Sequence, residues 1–92
     1  EWGALLHQVR ERNRFIPGLI ESVRGFVSGH RILAGRMLEA RAISTRSEDP
    51  ERVVAAVNEM ERCLKRIENL LRLRPEMEQY PPFAENWKKV VR

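Results

Sequence analysis

The chain has 92 residues, a third of them charged, with a formal net charge of +4. That length makes one domain, and a chain so short buries only roughly 60–65% of its unfolded surface, which leaves a thin margin of stability. A single cysteine, Cys63, excludes an internal disulfide and any multi-cysteine metal site, and no apolar run nears the roughly 18 residues that cross a bilayer.

The opening residues reach Arg10, Glu11, Arg12 and Arg14 too soon for a signal peptide. A start without methionine reads as a fragment whose upstream anchor is missing. From Leu5 onward, alternating steps of four and three give Leu5, Val9, Arg12, Ile16, Leu19, Val23, Phe26, His30, Leu33, Met37, Ala40 and Ser44. That spacing is one helix face near 3.5 residues per turn, as in left-handed bundles. The phase survives Gly18, Gly25, Gly29 and Gly35, so the pattern predicts a long helix running through them. Pro17 removes a donor and crowds the preceding turn. The helix either kinks there or breaks, and the unbroken phase favours the kink.

Residues 44–49 predict the first loop. Asp49 as N-cap, Pro50 at the first helical position and Glu51 in the first turn then mark a strong helix start. The second helix carries Val53, Val57, Met60, Leu64, Ile67 and Leu71 on one seam, flanked by Ala56, Cys63 and Leu70. Pro75 ends it near Arg74. Tyr80-Pro81-Pro82 predicts a rigid extended link, and Phe83, Trp87, Val90 and Val91 predict a last amphipathic helix. One unbroken helix over residues 2–46 would span about 67 Å, against about 37 Å for residues 50–74. The second helix therefore covers the first from Arg46 back to about Ser22, and the last helix covers Leu5, Val9 and Ile16. A second copy of the chain is the alternative cover. The fold expected is an all-α antiparallel bundle of three to four helices in one domain, residues 1–92.

Charge is uneven along the chain. Residues 1–46 carry Arg10, Arg12, Arg14, Arg24, Arg31, Arg36, Arg41 and Arg46 against Glu1, Glu11, Glu21 and Glu39, and the remaining residues balance. Arginine grips carboxylates and phosphates with a planar fork, so this half suits an acidic protein, an anionic lipid surface or a nucleic acid. Of the histidines, His7 has only Glu11 at helical spacing, and His30 lies on the apolar stripe, where a satisfied core residue is expected. Cys63 has no basic neighbour on its own face. No glycine loop of phosphate-binding type occurs, and nothing in the chain reads as a catalytic, metal or cofactor site.

The stretch from Phe15 to Ala42 resembles the central segment of LemA-family proteins, with its Ile-Pro-x-Leu-Val/Ile-x-x-Val-Lys/Arg-Gly-Tyr/Phe core and Ala-Arg-Ala close. The matching residues are Arg12, Ile16, Pro17, Leu19, Ile20, Val23, Arg24, Gly25, Phe26, His30, Leu33, Ala40, Arg41 and Ala42, with Trp2 upstream and Tyr80-Pro81-Pro82-Phe83 downstream. Asn13-Arg14-Phe15 departs from the Tyr-Asp that many members have before Leu-Ile-Pro. Gly18 replaces a usual Asn, and the last helix is shorter. The resemblance implies a helical bundle carried by an N-terminal membrane helix on a bacterial protein, without catalytic residues. Its short, arginine-rich form resembles the magnetosome-associated branch. The expected function is therefore a non-enzymatic, soluble scaffold domain, with Arg10, Arg14, Arg24, Arg31 and Arg41 forming a basic face for an acidic protein or anionic membrane surface. Nucleic-acid binding, with Trp2 or Tyr80 stacking on bases, is the alternative.

Overall fold

The computed structural model describes residues 2–91. Over these residues the chain is entirely helical in its regular structure: α1 (Trp2–Asn13), α2 (Ile16–Ser22), α3 (His30–Arg46), α4 (Pro50–Leu73), a 3-10 turn (Pro75–Gln79) and α5 (Pro81–Val91). The molecule measures 38 × 23 × 18 Å. Its long axis matches α4 alone, at about 1.5 Å per residue.

The expected long first helix is three helices. Pro17 does not kink a continuous rod; it stands in the first turn of α2, where its missing N–H would have had no partner. Arg14 and Phe15 form the turn before it, their amides donating to the carbonyls of Glu11 and Arg12 at 3.2 and 3.0 Å. A second break, at residues 23–29, overturns the reading that the helix runs through its glycines. Gly29 has φ 77°, a left-handed conformation that glycine adopts without steric penalty, and α3 begins directly after it. His30 holds this corner, its Nε2 donating to the carbonyl of Ile20 at 2.9 Å, near the end of α2.

The heptad positions nonetheless face inward on all three segments. Val9, Ile16, Leu19, Val23, Leu33, Met37, Ala40 and Ser44 are buried, while Arg12, Phe26 and His30 are half-buried. Leu5 departs from the expectation, at 48% exposed. α5 packs mainly on α2 and less on α1, and Ile16 is fully buried while Leu5 is not.

The α4 start matches its sequence signals: the Asp49 carboxylate accepts from the Glu51 amide at 3.0 Å, with Pro50 as first helical residue. The loop before it shrinks to residues 47–49, because α3 continues through Arg46. α4 lies along α3 and buries Val53, Ala56, Met60, Cys63, Leu64 and Ile67. Past Leu73 a 3-10 turn buries Met77, and of the expected extended link Tyr80-Pro81-Pro82 only Tyr80 is extended, because Pro81 and Pro82 open α5. Prolines tolerate a first helical turn as readily as an extended link. One core joins α2, α3, α4, the 3-10 turn and α5.

Candidate functional site

The five arginines expected to share a basic face divide by position. Arg41 points back to α1: its Nε donates to the Asn13 carbonyl at 2.7 Å, satisfying one of the carbonyls left open at a helix end. Arg10 is half-buried, and its Nη2 reaches the Ser47 carbonyl at 3.5 Å. These two are ties between helices rather than surface contacts. Arg14, Arg24 and Arg31 keep their heads in solvent. Arg14 and Arg24 make exposed pairs one turn back, with Glu11 at 3.1 Å and Glu21 at 3.7 Å, of the kind that solvent screens heavily. Arg14 and Lys89 also stand 5.9 and 5.3 Å from the centre of the Phe15 ring. A mixed basic and aromatic corner results, and Lys89 was no part of the expected face.

Two arginines outside that set carry long-range pairs. Arg12 is bound to Glu61 at 2.6 Å, reaching from α1 to α4, with its side chain only 17% exposed. Arg36 donates from Nε to Glu59 at 2.6 Å, and Arg62 takes the other Glu59 oxygen at 3.1 Å. Part of the positive excess of the first half is thus neutralised by α4. The Arg36 hydrogen bond holds the Glu59 carboxyl below its ordinary value. A depressed carboxyl stabilises the folded state above the ordinary glutamate range and loses that contribution as pH falls through it. The stability difference between the parent and Glu59→Gln, read by urea unfolding, is therefore expected at about pH 7 and should shrink as the pH is lowered below the ordinary glutamate range. A difference that stays constant with pH would count against the pairing.

A groove of about 870 Å³ opens between α1, α4 and α5. Leu5, Val9, Val57, Leu64, Leu71 and Trp87 supply its apolar lining. Its charges are largely engaged with one another: Arg12 with Glu61, and Lys65 with Glu68 at 3.2 Å. His7 stands on its wall. Cys63 is buried in the core, and that burial pushes its thiol above the ordinary range. Among the described residues no group of three or more His, Cys, Asp or Glu could hold a metal ion, and no helix is long and apolar enough to cross a membrane.

Asn13 is the residue that sequence reading missed. It is buried at the end of α1, and its side-chain amide donates to the hydroxyls of Ser44 and Thr45, both at 2.9 Å. The one available signal was a polar residue one place beyond Arg12 on the apolar stripe. Comparison with protein-family models, curated proteins and solved structures finds no match to this chain. The likeness to LemA proteins thus rests on the residues quoted above.

Proposed function

We propose that this chain is a non-enzymatic interaction domain that binds an acidic protein segment through exposed arginines. The observation that carries the reading is the placement of Arg14, Arg24 and Arg31, whose guanidinium groups stay in solvent while Arg10 and Arg41 tie helices together. The exposed partners Glu11 and Glu21 are held by a single screened contact each, so a carboxylate-rich ligand competes for these arginines at low cost. On the strength of the residue pattern around Ile16-Pro17 and Tyr80–Phe83, the domain belongs in this proposal to a membrane-anchored bacterial protein resembling the magnetosome-associated LemA branch. The full gene product is then expected in the membrane fraction after a high-salt wash, and recovery in the supernatant would remove the anchoring.

The binding reading is tested with three probes of different class at about 0.15 M salt: a polyglutamate peptide, vesicles of mixed phosphatidylcholine and phosphatidylserine, and a short DNA duplex. Polyglutamate is expected to bind, and Arg14→Glu/Arg24→Glu to weaken it about tenfold, which corresponds to about 1.4 kcal/mol. Binding confined to the vesicles or the duplex, or unchanged in the variant, would overturn the reading.

A further inference from the structure

We infer that two copies of this chain pair through the outward face of α3, the helices crossing antiparallel at Gly35. This goes beyond the acidic-ligand reading and shares only Arg31 with it. α3 buries Leu33, Met37, Ala40 and Ser44 on its inner side. Gly35 lies on the outer side, exposed, and a Cβ placed there would meet nothing within 4 Å. Glycine is the poorest ordinary residue for a helix interior, and the fold itself makes no use of its smallness at this position. A close approach from outside does.

The surroundings of Gly35 are arranged symmetrically along the helix. Three residues to either side stand Ile32 and Leu38, 68% and 43% exposed. Four residues to either side stand Arg31 and Glu39, both exposed. Among the described residues, neither makes an ion pair or side-chain hydrogen bond. Residues four apart form an inclined row on a helix, so Arg31, Gly35 and Glu39 make one row. Helices that cross at about −50° lay such rows side by side. With a two-fold axis at Gly35 the second row runs in reverse. Arg31 of each copy then faces Glu39 of the other, while Ile32 meets Ile32 and Leu38 meets Leu38 on the two flanks.

The face is therefore complementary to itself, which is what an isologous contact requires. Parallel pairing would set Arg31 against Arg31 and is excluded by repulsion. A single helix crossing is a small interface, so the dimer is weak. It presents two copies of Arg14 and Arg24 to a ligand, and it withdraws Arg31 from ligand contact.

Sedimentation of the purified chain from about 10 µM to about 1 mM tests the pairing, the range in which small interfaces assemble. A reversible dimer is expected, weaker at high salt. Arg31→Glu and Glu39→Arg should each weaken it about tenfold or more, since each replaces two attractive pairs by repulsive ones. The doubly exchanged Arg31→Glu/Glu39→Arg should return within about threefold of the parent, because the pairs are re-formed with signs swapped. Gly35→Leu should abolish the dimer while leaving the thermal midpoint of the monomer equal or higher. A monomer at every concentration overturns the inference, as does a dimer indifferent to these changes or one that the charge exchange does not restore.

Discussion

Phe83→Ala is expected to cost about 3–5 kcal/mol of stability, the range for removing a fully buried aromatic side chain. Phe83 has no exposed surface, and its ring stacks on Trp87 with centroids 5.5 Å apart. It sits on α5, which packs mainly against α2. α2 has only seven residues, and a helix so short does not persist in water without tertiary support. Ile16, Leu19, Ile20 and Val23 reach the core from this segment and join Phe83 there. Emptying the Phe83 site therefore weakens the cover of an element that cannot stand alone. A domain of this length has a total stability of about 5–14 kcal/mol, so the loss is a large fraction of the whole. The thermal midpoint should fall by roughly 15–30 °C, and the amides of α2 should lose hydrogen-exchange protection first. Leu73→Ala is the control, since Leu73 is 81% exposed and should change stability by less than about 0.5 kcal/mol. A Phe83→Ala protein within about 1 kcal/mol of the parent would show that α2 is held by something other than α5.

The inward-facing residues were largely legible in the sequence, whereas the directions of the helices were not. Val9, Ile16, Leu19, Val23, Leu33, Met37 and Ala40 kept one periodic phase and are all buried. That phase tells which side of each segment meets the core. It is silent on whether the axis continues, so one bent rod and three short helices give the same pattern. The breaks are carried by Pro17 and by Gly29, and only the backbone angle of Gly29 distinguishes a tolerated helix glycine from a corner. α4 was readable to within a residue because its boundaries are chemical: an Asp-Pro start and a proline beyond its end. The basic face was legible only in part. Exposure of Arg14, Arg24 and Arg31 agrees with a local reading of charge, but the partners of Arg12 and Arg36 lie 49 and 23 residues away. Pairing over such separations depends on the tertiary path, and it converted part of an apparent surplus into internal contacts.

Asn13→Ala should cost about 1–3 kcal/mol, the range for taking a partner out of a buried hydrogen-bond set. α1 is attached differently from the other helices. Val9 is its one buried apolar residue, and the remaining ties are polar: Asn13 to Ser44 and Thr45, Arg41 to the Asn13 carbonyl, Arg10 to Ser47 and Arg12 to Glu61. The amide orientation at Asn13 follows from its surroundings. The Ser44 hydroxyl gives its proton to the Ala40 carbonyl at 2.7 Å, so toward Asn13 it can only accept, and the amide nitrogen must face it. The amide oxygen is left without a donor among the described residues, which limits how much the cluster stabilises. Ser44→Ala should therefore cost less in the Asn13→Ala background than in the parent, with a coupling of at least about 0.5 kcal/mol. Costs that add would separate the two side chains and sink the cluster as the anchor of α1. Loss of the anchor should also be local. Exchange protection should fall across residues 2–13 while α3 and α4 keep theirs, because the apolar core and the Arg36–Glu59 pair that join them do not pass through Asn13. α1 is one wall of the groove that holds Leu5 and His7, so weakening this polar cluster is expected to loosen that wall as well.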